Sequence, residues 1–286
     1  MSTVNSYLPL TDFKNWLATR GLAGAVGTDT SDDAVIEDLL EGASRYLDAE
    51  TGCMFFPRVE ARYHDVPDSE TYDPRLLYVD DDLLEITTLT NGDNTIVPST
   101  EYDLWPKNTT PHLGIRLKDT STYQWVSDTT GNYKFVISVL GWWGNRKQYA
   151  QRGWLSGGTL GAAITDATTL AFTMITGHSL VVGQIIKIDS EIYNIASIST
   201  NTITPIKRGD NGSTAATHAD GATVYIWQPN EDVKTAILQI VGNVYANRSG
   251  QASSGRISVT ASGVVIRPED VPPMAATIIS RYRKIT

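Results

Sequence analysis

The sequence predicts an α+β protein: an α-helical core of long amphipathic helices, a strand-rich segment, and an inserted small all-β domain, barrel or sandwich. Three observations predict it. Two stretches, 32–51 and 231–247, repeat apolar residues at helical spacing. Nearly everything between them alternates like strands broken by turns. Each apolar stripe lacks a helical partner nearby in sequence, so the two stripes are expected to face each other across the interruption. The expected organisation is a core of 1–149 and 230–286, a linker at 150–167 and an inserted β domain at 168–229.

The elements follow in order. A short helix at 11–20 has Thr11 as a plausible N-cap, Phe13, Trp16 and Leu17 on one face, and Gly21 after its end. A Gly/Ala/Thr-rich loop at 21–30 leads to Ser31, which caps the first long helix; Asp32, Asp33, Glu37 and Asp38 gather near the positive end of its dipole. Val35, Ile36, Leu39, Leu40, Ala43, Tyr46 and Leu47 form its stripe, and Gly52 terminates it. Strands are expected at 59–66, 76–79, 83–89, 95–97, 102–104, 114–117 and 133–140, with Asn91-Gly92 the strongest turn signal. The run 141–164, rich in Gly and Trp, reads as an irregular connection. Strands at 169–175, 184–188, 191–197, 202–206 and 223–227 make up the inserted domain. After Pro229-Asn230 a second long helix carries Val233, Ala236, Ile237, Ile240, Val241, Val244 and Tyr245 on one stripe. A break at 249–255, a β arm at 257–266 and a final helix at 271–282, announced by Pro268, Pro272 and Pro273, complete the chain.

Composition narrows the classes of function. With 286 residues and an apolar fraction of 41%, the chain has the makings of a sizeable core rather than of a disordered protein. No run approaches the roughly 18 apolar residues of a membrane span, so no membrane association is expected. The first ten residues show no basic and apolar leader, and Cys53 is the single cysteine; a reducing cytoplasm, with no disulfide and no Cys-rich zinc site, is the expectation. Charge is unevenly spread: 21 Asp/Glu stand against 6 Lys/Arg in 1–105, while 245–286 has 6 Lys/Arg against Glu269 and Asp270. An acidic front argues against tight DNA binding, which depends on clustered cations.

No constellation points to catalysis. Asp80-Asp81-Asp82 with Glu85 lacks the alternation and glycine of a calcium loop and reads as a solvated strand end. His64, His112, His178 and His218 have no metal-ligand spacing. Gly157-Gly158-Thr159-Leu160-Gly161 lacks the Lys-Ser/Thr of a phosphate loop, and Arg208-Gly209-Asp210 opens a tight turn. A hydrolase using the carboxylates between Asp65 and Asp82 finds no positioned acid and base. Neither a cofactor nor a metal is expected. Among seven tryptophans, Trp142, Trp143 and Trp154 lie in or beside the Gly-rich connection and are candidate interface anchors.

The helix ending Tyr46-Leu47-Asp48-Ala49-Glu50-Thr51-Gly52, followed by Cys53-Met54-Phe55-Phe56-Pro57, resembles the first core helix of head-to-tail connector (adaptor) proteins of long-tailed bacteriophages. Leu84 to Gly92, Tyr102-Asp103-Leu104, a strand ending Gly141-Trp142, the late helix from Val233 and the closing Ile278-Ile279-Ser280-Arg281-Tyr282-Arg283 are similar to later elements of that family, in the same order. The stretches from Gln184 to Tyr193 and from Arg208 to Tyr225 resemble a β module of phage virion proteins, and this insertion departs from typical connectors.

The resemblance implies a non-enzymatic virion protein of the neck, made in the host bacterial cytoplasm. It implies a homo-oligomeric ring, a dodecamer, between the portal protein and neck or tail completion proteins. Double-stranded DNA passes through such a ring without sequence-specific binding. Ile278, Ile279, Arg281, Tyr282, Arg283 and Lys284 are then the expected portal-docking residues. The alternative reading is a glycan-binding β module with Trp142, Trp143, Trp154 and Trp227 as stacking platforms.

Overall fold

The structure is a computed structural model and describes residues 4–22, 30–68, 70, 73–249, 258–260, 263–265 and 271–284. Most of the expected 21–30 loop, the break after Ser249 and the last two residues of the tail lie outside them. By contacts the chain divides into two compact units: Met1–Phe56 with Trp154–Asp210 and Thr214–Thr286, and Pro57–Gly153 with Asn211–Ser213. Most of the expected linker and inserted domain thus groups with the helices in the first unit.

The expected fold class is overturned. The chain is mostly β, with two antiparallel sheets of five and six strands and only 26% helix, rather than a core of long amphipathic helices. The reason is where the apolar side chains lie. Two large buried clusters, one around Ile186, Tyr193 and Ile203 and one around Leu83, Ile115 and Trp143, are both built on strands.

In the first unit, α1 (Leu10–Leu17), α2 (Asp33–Thr51), α3 (Glu231–Ser249) and α4 (Pro273–Tyr282) pack together, α2 touching each of the others. Ile36, Leu39, Leu40, Ala43 and Leu47 of α2, and Val233, Ala236, Ile237, Ile240, Val241 and Val244 of α3, are buried. Periodicity at 3.6 residues places each set on one face, and burial of such faces stabilises by about 1.5–3 kcal/mol per large side chain before chain entropy. Neither Thr11 nor Ser31 caps a helix: α1 and α2 follow Pro9 and Asp32, with no side-chain cap bond. Gly52, at φ 68°, ends α2 by donating its N–H to the Asp48 carbonyl.

Six strands, β6 (Trp154–Thr159), β7 (Phe172–Thr173), β8 (Ile185–Ile188), β9 (Glu191–Ser199), β10 (Thr202–Pro205) and β11 (Thr223–Trp227), form an antiparallel sheet in the order β6-β11-β8-β9-β10-β7. Its two edges meet: Leu160 bridges Met174, Gly161 donates to the Thr173 carbonyl and Ile175 to that of Thr159. The sheet therefore rolls into a nearly closed barrel. β6 lies within the segment expected to be an irregular connection. Its glycines mislead because a Cβ on Gly157 would lie 2.6 Å from Leu180 Cδ2 and 2.8 Å from Ile226 Cγ1. The barrel interior admits no side chain there. A two-stranded hairpin, β12 (Ser258–Thr260) and β13 (Gly263–Val265), stands where a β arm is expected.

The second unit is a five-stranded antiparallel sheet of β1 (Arg58–His64), β2 (Leu76–Thr90), β3 (Tyr102–Trp105), β4 (His112–Leu117) and β5 (Ile137–Trp143), ordered β1-β5-β2-β4-β3. β2 is one long strand where two are expected. Leu76 to Tyr78 pair with β4, Leu83 with both β4 and β5, and the remainder with β5, and the register on β4 shifts between Tyr78 and Leu83. Asp80, Asp81 and Asp82 sit inside this strand at the change of partner, not at a strand end. Asp81 accepts from Arg58 and Arg62 at 2.6 and 2.9 Å, and buried Asp82 accepts from Asn145 at 3.1 Å.

Candidate interaction site

Strand alternation sends Leu77 into the core of the second unit and leaves Tyr78 on the opposite face. Register then assembles an aromatic pair. Tyr78 of β2 and Trp105 of β3 both stand opposite Gly114 of β4, and their rings meet edge to face at 5.9 Å. Gly114 offers no side chain to separate them, and a Cβ there would come within 2.9 Å of the Leu77 carbonyl oxygen.

These rings, with Tyr63 from β1 and Phe135 from the loop before β5, line an open groove of about 640 Å³. Tyr63, Tyr78 and Phe135 are 59%, 65% and 71% exposed, an unusual state for large rings sharing one surface. Phe135 holds φ at 56°, a left-handed backbone that bulky residues rarely adopt. Asp65 fixes it there, accepting the Phe135 N–H at 2.9 Å and the Lys134 ammonium at 2.8 Å.

The polar lining of the groove is one-sided: Asp65, Asp73 and Asp80 contribute carboxylates, and no Lys or Arg is among the described lining residues. Their cationic partners, Lys134, Arg116 and Arg62, lie outside the lining. Hydrogen bonds from Lys134 and from the Phe135 N–H hold the Asp65 carboxyl below its ordinary range, and Arg116 does the same for Asp73. His64 also lines the groove. Its Nε2 is sealed from solvent and has no hydrogen-bond partner among the described residues. Burial lowers its pKa against the opposing pull of Asp80, so the ring is neutral near pH 7.

A second polar cluster is internal to the barrel. Glu191 is fully buried and accepts from Arg208 Nε and Nη2 at 2.8 and 2.9 Å, from the N–H groups of Gly209 and Ala216 at 2.8 Å, and from His218 Nε2 at 3.0 Å. Burial raises the carboxyl's pKa, but Arg208, Ala216, His218 and Gly209 outweigh it and bring the group down to about 2. Neighbouring Tyr193 is pushed well up, first by burial and then by the Glu191 charge. Arg208 also donates to the carbonyls of Asp166, Thr169 and Ala216. The cluster therefore pins the loops around the barrel, with Arg208 of the Arg208-Gly209-Asp210 tripeptide as its centre.

The sequence-expected anchors lie elsewhere. Trp143 is fully buried, donates from Nε1 to the Glu60 carbonyl at 3.0 Å and carries the Arg62 guanidinium 5.0 Å above its ring. Trp142 is buried on the other face of β5. Trp154 is partly exposed, with the Trp227 ring at 4.9 Å and the Lys187 ammonium 4.7 Å from its centroid. Trp227 is itself buried.

Of the tail residues, Ile278, Ile279 and Tyr282 face inward, and Tyr282 donates to Asp232 at 2.7 Å. Arg283 pairs with Glu50 at 2.6 Å, and the Lys284 N–H reaches the Thr51 carbonyl at 2.9 Å. Arg281 is exposed.

No protein-family model, curated protein or solved structure matches the chain.

Proposed function

We propose that this chain is a structural protein of a phage neck, a head-to-tail connector that forms a ring between the portal vertex and the tail. One observation carries the reading beyond sequence resemblance. Two of the segments that carry that resemblance, 46–57 and 278–283, are more than 200 residues apart in sequence yet join in one clasp. Phe55 meets Tyr282 edge to face at 5.0 Å, Cys53 Sγ lies 3.3 Å from the Tyr282 carbonyl oxygen, and Arg283 and Lys284 close on Glu50 and Thr51. Segments that resemble a family in order thus also form one three-dimensional feature of this chain.

In this reading repeated head-to-tail contacts close the ring, with twelve copies expected, and acidic residues of 1–105 face a channel through which DNA slides. Arg281 is the tail side chain best placed to meet the portal, while Ile278, Ile279 and Tyr282 hold the helix that presents it. The barrel is a further surface for neck or tail proteins. Among the described residues no helix is long and apolar enough to cross a membrane.

Native mass measurement of the purified full chain, alone and mixed with portal protein, tests the proposal. A discrete ring-sized species that forms or is stabilised with portal supports it. A chain that stays monomeric under both conditions overturns it.

A further inference from the structure

From the groove on the five-stranded sheet we infer a docking site for an extended, arginine- or lysine-rich peptide segment of a partner protein. The lining combines Tyr63, Tyr78, Trp105 and Phe135 with the carboxylates of Asp65, Asp73 and Asp80, and the described lining includes no cation. Aromatic faces attract guanidinium and ammonium groups, and a carboxylate can accept more hydrogen bonds than the one cation it already holds. Asp80, 63% exposed at its side chain, keeps room for a second donor beside Arg62.

Size and shape favour a peptide. The volume of about 640 Å³ falls within the roughly 300–1,000 Å³ typical of ligand sites, and the groove is open rather than enclosed. The inference does not depend on the ring-forming reading, since it rests on the second compact unit alone.

The test is calorimetric titration of the full chain with a capped heptapeptide of three arginines alternating with prolines, and with its glutamate counterpart. The arginine peptide is expected to bind and the glutamate peptide not to bind. Trp105→Ala is expected to weaken binding at least about tenfold and Asp80→Asn about threefold, with affinity falling as salt rises. Ile96→Ala, an exposed change outside the groove, is expected to leave it unaltered.

Trp105 and Asp80 are exposed, so unchanged thermal unfolding verifies that each variant is folded. Equal binding of both peptides, no arginine-peptide binding at about 1 mM, or indifference to Trp105→Ala overturns the inference. So does binding of a neutral hexasaccharide through Trp105 in the absence of any arginine-peptide binding.

Discussion

Glu191 makes the barrel's stability depend on pH in a way that one substitution can isolate. Its carboxyl is fully buried and drawn from 4.5 to about 2 in the folded chain. At about 1.4 kcal/mol per tenfold change in proton affinity, that depression is worth roughly 3–4 kcal/mol of stabilisation at neutral pH. Because the folded pKa is depressed, the unfolded chain binds the proton first as pH falls. The contribution is complete above about pH 4.5, declines through the interval, and is gone below about pH 2.

The assay is amide hydrogen exchange of β8 and β9 in urea, read at steps from pH 6 to pH 2 for the wild type and for Glu191→Gln. Local exchange is preferable to a global melt because the chain holds two compact units. Both proteins share every other acidic group, so the difference between them reports Glu191. That difference is expected to start at roughly 3–4 kcal/mol and shrink as pH falls from 4.5 to 2. A difference that stays constant across this range, or a wild-type barrel no more stable than the variant at pH 6, would refute the reasoning.

Three further outcomes are expected. Arg208→Met strips Glu191 of its main partner and leaves a buried carboxylate, so barrel stability should fall by about 3–5 kcal/mol, and Glu191→Gln in the same chain should recover part of that loss in a double-mutant cycle. Gly157→Val should overpack the barrel against Leu180 and Ile226 and destabilise it by about 1–3 kcal/mol in the same exchange experiment, with protection in β1 to β5 unchanged. Tyr282→Phe removes the hydrogen bond to Asp232 and should lower stability by about 1–2 kcal/mol, read from the exchange of α4.

Local signals were readable where local physics decided the outcome. The stripes of α2 and α3 and most barrel strands stand close to where periodicity puts them, since each pattern repeats within one element. What failed was the weighing of elements: two conspicuous helices suggested a helical core, although the chain between them supplies most of the sheet interior. β6 was hidden because its glycines answer to Leu180 and Ile226, both distant in sequence. Asp80 to Asp82 looked solvated because the arginines that hold Asp81 come from β1.

The groove was illegible for the same reason. Tyr63, Tyr78, Trp105 and Phe135 span more than 70 residues, and they come together through strand pairing and through the hold of Asp65 on the loop of Phe135. Trp142 and Trp143 drew attention by adjacency, yet neighbours on a strand point to opposite faces, and both faces of β5 are covered here. No local pattern marks the groove: Tyr63 shares its phase in β1 with Val59 and Ala61, and Tyr78 shares its phase in β2 with Leu76 as well as with Asp80 and Asp82.

The pairing of α2 with α3 has a consequence for synthesis. Roughly 180 residues separate the end of one helix from the start of the other, and a ribosome adds about 5–20 residues each second, so α2 emerges on the order of ten to forty seconds before its partner exists. During that interval α2 has only α1 to pack against while both sheets are being made. The nascent chain thus presents an apolar helix face well before Val233 and the rest of α3 exist to cover it.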